Sequence, residues 1–158
     1  LIKSNNIKIV KTENNKLITL NERLKIKPIL VPHRDEYSET VGYNIISDKK
    51  SVLYVPDIDK WHLWNLEVNE LIKKNDYAFL DGTFFKNGEL GRDMGTIPHP
   101  LVHESMQHFS ALSKSDKQKI HFIHFNHTNP LLQNNSVEQK EVTSKGFRIA
   151  KEKQIIKL

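Results

Sequence analysis

The sequence contains no cysteine among its 158 residues. Disulfide bonds and thiolate metal ligands are therefore excluded within the chain, and a bound metal ion would need His, Asp, Glu or backbone oxygen as ligands. No apolar run approaches the roughly 18 residues of a membrane-spanning helix, and no basic-then-apolar signal segment opens the chain. We therefore expect a cytoplasmic protein without a membrane partner.

Neither sign of charge dominates the composition. The net charge of +5 arises from 24 basic and 19 acidic residues, and the lysines are spread along the chain without an arginine-rich block. A solvated, lysine-rich exterior explains this pattern, and a surface for nucleic acid is possible but not favoured. A hydrophobic content of 37% over this length indicates one globular domain, residues 1–158.

Short apolar segments separated by turn residues predict most of the secondary structure. The predicted strands cover residues 7–10, 16–20, 24–31, 41–47, 51–55, 77–80 and 119–125. Helices are predicted after Asp59 as N-cap, over 103–112, and over 137–143 with Ser136 as N-cap. A final hairpin is predicted over 147–150 and 154–157, and the long segment 84–100 is expected to form one wall of a pocket.

A polar residue lies at or just after the end of each of four predicted strands: His33, Asp57, Asp81 and His124. In layered α/β folds, functional sites lie at strand ends, so this pattern predicts an α/β fold with one shared site. Two imidazoles and a carboxylate from His33, Asp57 and His124 form a plausible ligand set for Zn²⁺ or a similar ion. Taken separately, each residue also has an ordinary structural explanation as a loop, turn or core residue.

The segment 120–132 reads IHFIHFNHTNPLL and contains three histidines. His124 stands where the strand ends. His121 lies three positions earlier and therefore points to the opposite face of the strand. His127 lies in the following turn, where it is predicted to neighbour a metal ligand without being one.

Five segments in this order resemble the C-terminal half of the metallo-β-lactamase fold: VPHRDEYSETVGYNI, LYVPDIDKW, FLDGTFF, MGTIPHP and IHFIHFNHTNPLL. The resemblance covers residues 24–132. It is closest to the branch containing pyrroloquinoline-quinone-biosynthesis protein B, with tRNase Z and the cyclic-phosphate phosphodiesterases further away. It implies half of a four-layer αββα sandwich.

The resemblance also implies roles for individual residues. His33 and His124 would be metal ligands, and Asp57 would be the carboxylate that bridges two metal ions. Asp81, in DGTFF, would act as the acidic residue of the tRNase Z HEAT motif and hold a ligand in place. His99 would help to handle the leaving group. The implied cofactor is one or two zinc ions, with iron or manganese as alternatives.

The main metal motif of the family, H-x-H-x-D/G-H, does not occur in this sequence. The chain also begins at Leu1 rather than Met. We therefore expect a partial metallo-β-lactamase-like domain whose N-terminal half is absent. The chain would be a truncated or processed product, would associate with the missing half as a second chain, or would form a homodimer.

Three functions remain open. The first is a metal-dependent hydrolase, in which metal-activated water attacks a phosphodiester or an ester or lactone of a small molecule. The second is an accessory or oxidoreductase role in making a quinone cofactor, as the protein B-like branch implies. The third is a non-catalytic fragment or binding module.

Overall fold

The computed structural model describes residues 3–4 and 6–158. Within them, one mixed sheet contains seven strands, and their spatial order is their order along the chain. These strands are β1 (Ile18–Asn21), β2 (Leu24–Val31), β3 (Thr40–Ser47), β4 (Ser51–Val55), β5 (Tyr77–Asp81), β6 (Ile120–Ile123) and β7 (Arg148–Ile149). The helices are α1 (Val68–Lys74), α2 (Val102–His108), α3 (Lys114–Lys117) and α4 (Val137–Ser144). This architecture confirms the predicted α/β class.

The direction of the strands places four strand ends at one edge of the sheet. β2 and β4 both pair antiparallel with β3, so they run the same way. β4, β5 and β6 then pair in parallel. The carboxyl ends of β2, β4, β5 and β6 therefore meet at the same edge, which is where ligands bind in open α/β sheets.

The hydrophobic core covers one face of the sheet. Alternate residues of β4 to β6 enter it, among them Leu53, Leu80 and Phe122, each 0% exposed. Helical residues such as Ile72 and Phe109 belong to the same cluster. Fully burying side chains of this size contributes about 1.5–3 kcal/mol each, so this face fixes the sheet that carries the strand ends.

Three predictions of secondary structure are wrong. Residues 7–10 form no strand, and Ile9 and Val10 are 67% and 69% exposed. Strand propensity alone does not bring a segment into a sheet when its apolar side chains stay largely exposed. At the other terminus, β7 pairs in parallel with β6, and residues 154–157 form no second strand of a hairpin.

The third wrong prediction is the helix that was to begin after Asp59. The carboxylate of Asp59 accepts a hydrogen bond from the adjacent Lys60 amide and caps no helix. Instead, a three-residue 3₁₀ turn covers Trp61–Leu63, and α1 begins only at Val68. The indoles of Trp61 and Trp64 donate to the Ser105 hydroxyl and the Leu30 carbonyl. These buried anchors produce the apolar spacing that resembled a longer helix.

Among the described residues, no helix is both long enough and apolar enough to cross a membrane.

Candidate metal site

Histidine and carboxylate side chains converge at the edge where the parallel strands end. One ligand atom from each of Asp57, Asp81, His99 and His124 lies within 4.8 Å of the others. His33 adjoins them, because its Nε2 lies 3.2 Å from Oδ1 of Asp57. We call these five residues the His/Asp cluster. The structure thus brings together all four strand-end residues and adds His99, which the long segment 84–100 supplies.

Asp57 contributes to the His/Asp cluster an oxygen that has no hydrogen-bond partner among the described residues. Its Oδ1 is buried and lies 3.2 Å from Nε2 of His33 and 3.5 Å from Nδ1 of His99. Neither contact has the geometry of a hydrogen bond, and Oδ1 has no other partner among the described residues. Nδ1 of His33 is likewise buried and unpaired. Buried polar atoms without partners are rare, and a carboxylate oxygen between imidazoles fits a site for a cation.

Asp81, by contrast, is fully satisfied. It ends β5, is 0% exposed, and its Oδ1 accepts from the Thr83 amide at 2.8 Å and the Thr83 hydroxyl at 2.7 Å. Its Oδ2 accepts from the Ile58 amide at 3.2 Å and from Nδ1 of His99 at 2.8 Å. A carboxylate has about four lone-pair sites, so all are used. Although Asp81 is near enough to be a ligand, its hydrogen bonds fit the predicted role of holding a histidine.

His99 lies where a positive charge is favoured. Burial lowers the pKa of His99, but the hydrogen bond and charge of Asp81, together with the charges of Asp57 and Asp59, outweigh burial. The net effect raises the pKa above its ordinary value. The surrounding carboxylates therefore stabilise a cation at this point, whether it is the protonated imidazole or a metal ion.

His124 is the first residue after β6, and its backbone has φ of 63°. Residues other than glycine seldom adopt this left-handed conformation, and such strain is concentrated at functional sites. The turn leaves His124 exposed and places its Nδ1 2.9 Å from the Thr83 hydroxyl. The strand end thus presents the imidazole at the surface of the His/Asp cluster.

Hydrogen bonds join the loop after β5 to the loop after β6. The side-chain amide of Asn129 donates through Nδ2 to the backbone carbonyls of Gly82 and Thr83 at 2.7 and 3.1 Å. A Cβ on Gly82 would lie only 3.0 Å from atoms of Phe122 and Phe125. These contacts explain the glycine of DGT and the asparagine of TNP, and they fix Thr83 relative to His124.

The segment between β5 and α2 is ordered by its own contacts. Glu89 accepts hydrogen bonds from the Phe85 amide and the Thr128 hydroxyl. Phe84 and Met94 belong to a small second hydrophobic cluster. The segment is therefore a built structure that carries His99 to the site, and it forms one side of the His/Asp cluster.

The other two histidines of segment 120–132, His121 and His127, lie outside the His/Asp cluster. His127 is exposed and is not among the convergent ligand atoms. His121 is 3% exposed, stacks on Phe79 and contacts the Lys119 carbonyl through Nδ1 at 2.9 Å. Burial lowers the pKa of His121; the Lys119 carbonyl opposes this shift, and the charge of Arg148 adds to it.

A large open groove lies apart from the His/Asp cluster. It has a volume of about 1100 Å³ and runs beside β7 and α4, with His121, Phe125 and Phe147 among its lining residues. None of the His/Asp cluster residues lines it. The chemistry indicates the strand-end site, because the groove gathers no comparable set of metal ligands.

Comparison with known proteins identifies similar sequences and folds. A family model described as a beta-lactamase superfamily domain matches residues 2–125. Coenzyme PQQ synthesis protein B of Gluconobacter oxydans is 27% identical over 72% of this chain and 38% of its own length. The protein with the same name from Acinetobacter baumannii (strain ACICU) is 27% identical over 82% of this chain and 48% of its own length.

Among solved structures, Zn²⁺-bound PqqB from Methylobacterium extorquens matches with a TM-score of 0.70 at 20% identity. The match covers 88% of this chain and 52% of that one, and it shows a shared fold. The chain therefore spans about half the length, or less, of the relatives it matches.

Proposed function

The chain belongs to the beta-lactamase superfamily, and from this premise we propose that it forms part of a metal-dependent hydrolase. The observation that carries the proposal is the buried, unpaired Oδ1 of Asp57 among the imidazoles of the His/Asp cluster. His33, Asp57 and His124 would hold the metal. Their nitrogen and oxygen donors suit zinc, and iron or manganese would also fit. A relative that binds Zn²⁺ supports zinc.

When bound, such an ion lowers the pKa of a coordinated water toward neutrality and so supplies a hydroxide nucleophile. The substrate would be a phosphodiester, or an ester or lactone of a small molecule. Asp57 would orient the nucleophile. His99 is held by Asp81 through Nδ1, and the raised pKa of His99 favours the protonated ring, whose Nε2–H would pass a proton to the leaving oxygen. His127 is the alternative proton donor, and Asp57 would bridge a second metal ion if two are bound.

Three protein ligands and a water can complete one catalytic zinc ion, but they are too few for a two-metal centre. We propose that the remaining ligands come from residues corresponding to the other half of the relatives' length, either in the same polypeptide or in a second chain. Association of two copies is the alternative. Size and metal content of the full-length protein, measured together, distinguish these arrangements.

Replacing His124 by Ala tests the ligand assignment. We expect the full-length variant to lose zinc and to lose hydrolysis of a generic phosphodiester such as bis(4-nitrophenyl) phosphate. The loss of affinity should exceed the ~10–100-fold that removing an outer partner of a ligand costs. Zinc content by elemental analysis and the hydrolysis rate are measured on the same samples.

His103→Ala is the matched control, because His103 is an exposed histidine on α2 outside the His/Asp cluster. It should retain both zinc and activity. A His124→Ala variant with full zinc occupancy and wild-type hydrolysis would show that the site is assigned wrongly.

A role in the synthesis of a quinone cofactor is the second candidate function. The curated relatives named coenzyme PQQ synthesis protein B favour it. In that case an aromatic amino-acid-derived substrate would be oxidised, and the full-length protein would consume dioxygen in its presence without cleaving phosphodiesters. Oxygen-electrode measurements with iron-loaded and zinc-loaded protein separate the two functions. Salt-sensitive RNA binding without metal would instead favour a non-catalytic binding module.

A further inference from the structure

The hydroxyl of Thr83 occupies the space between three members of the His/Asp cluster. Its Oγ1 lies 2.7 Å from Oδ1 of Asp81, 2.9 Å from Nδ1 of His124 and 3.2 Å from Nδ1 of His99. Thr83 is only 7% exposed, so water does not readily replace these contacts. The hydroxyl therefore links a fully buried carboxylate to an exposed imidazole on another loop.

The hydrogen-bonding capacity of these groups fixes the direction of each bond. A hydroxyl donates one hydrogen and accepts through two lone pairs, whereas a carboxylate only accepts. At 2.7 Å from Asp81, Thr83 must donate to Oδ1, because the opposite arrangement would bring two acceptors together. With its hydrogen used, Thr83 can only accept from His124. Nδ1 of His124 therefore carries a hydrogen, and in the neutral ring Nε2 keeps its lone pair.

His99 follows the same rule through a direct contact. Its Nδ1 donates to Oδ2 of Asp81 at 2.8 Å, so its hydrogen also lies on Nδ1. A single carboxylate at the end of β5 thus orients two imidazoles, His99 directly and His124 through the Thr83 hydroxyl. β5 pairs with strands on both sides, which fixes the backbone that positions this carboxylate.

We propose that Thr83 is a positioning residue. Its hydroxyl connects Asp81 to His124 by hydrogen bonds, fixes the orientation of the His124 ring and leaves Nε2 of His124 free to bind the metal. The inference rests on the proposed function for its metal-binding part only. The carboxylate–histidine–metal arrangement is a recurrent way to fix the tautomer and orientation of a ligand. Here a hydroxyl is inserted between the carboxylate and the histidine, whose exposed strand-end position gives the ring few other restraints.

The test compares Thr83→Val, which keeps the shape but removes the hydroxyl, with Thr83→Ser, which keeps the hydroxyl. The backbone amide of Thr83, which also binds Asp81, is unchanged in both. In full-length, metal-free protein, long-range ¹H–¹⁵N NMR spectra report the tautomer of His124. We expect the Nδ1–H tautomer in the wild type and in Thr83→Ser, and a mixture of tautomers in Thr83→Val. Affinity for Zn²⁺ alone, by chelator competition, should fall ~10–100-fold in Thr83→Val and recover in Thr83→Ser.

The two readouts separate this inference from the proposed function. If wild-type His124 carries its hydrogen on Nε2, the inference is overturned, and this measurement does not depend on whether Thr83→Val folds. An unchanged tautomer in a folded Thr83→Val variant overturns it as well. A tautomer that depends on the hydroxyl supports the inference even where His124→Ala leaves zinc binding intact, a result that rejects only the role of His124 as a ligand.

Discussion

Replacing Asp81 by Asn in the full-length protein is expected to lower the free energy of unfolding by about 3–5 kcal/mol, the cost of breaking a buried charged network. The carboxylate accepts four hydrogen bonds and is 0% exposed. An asparagine offers one carbonyl oxygen and one NH₂ group in the same space. The NH₂ group of the asparagine must then face the two donors that bonded to the oxygen it replaces. These donors are either the amide and hydroxyl of Thr83, or the Ile58 amide and the His99 ring.

Chemical denaturation followed by circular dichroism measures this loss. The midpoint should fall while the slope stays constant, because the amount of surface exposed on unfolding is unchanged. Asp48→Asn is the matched control, since Asp48 is exposed in the turn between β3 and β4. Asp48→Asn should change the free energy of unfolding by no more than about 0.5 kcal/mol. If both variants unfolded at the same denaturant concentration, the hydrogen-bonded role of Asp81 would be refuted.

The sequence predicted the fold where local pattern and tertiary packing agree. β2, with its alternating then apolar residues, is predicted over its full length, and β5 is predicted to within one residue. The pattern fails at residues 7–10, where strand-forming residues pair with no strand of the described sheet. The pattern also fails for the segment containing Trp61 and Trp64, which has apolar residues at helical spacing but forms no long helix. Each indole is instead held by its own tertiary hydrogen bond, which periodicity does not reveal.

The location of the site followed from strand ends, whereas its hydrogen-bond network did not. Parallel strands bring Asp57, Asp81 and His124 to one edge, and this proximity is what the spacing predicted. The place of His99 came only from the resemblance to a family. Thr83 was not anticipated at all, because its role arises from contacts with residues on two other loops. The one local signal is its position two residues after the buried acid. The assigned roles of these residues remain predictions.

Asp57→Asn is expected to keep the stability of the metal-free protein and to lose its stabilisation by zinc, whereas Asp81→Asn is expected to lose stability without metal. Oδ1 of Asp57 forms no hydrogen bond among the described residues, and above the pKa of His99 its charge no longer stabilises a protonated ring. At such a pH, losing the charge should leave the metal-free protein about as stable as before. Zinc should then stabilise only the wild type. At a free zinc concentration 100 times the wild-type Kd, binding to the folded state adds about 2.7 kcal/mol, and the variant should gain almost none of this.

Asp→Asn at both positions thus distinguishes Asp81, which holds the site together through hydrogen bonds, from Asp57, which is proposed to bind the metal. Stability of both variants is measured by denaturation with chelator and with buffered zinc. Asp35→Asn, at an exposed position beside His33, controls for the loss of one negative charge and should respond to zinc as the wild type does. A zinc-dependent gain in Asp57→Asn equal to that of the wild type would remove Asp57 from the ligand set. A large loss of metal-free stability would show that Asp57 holds the fold instead, because its Oδ1 would then be paired in solution.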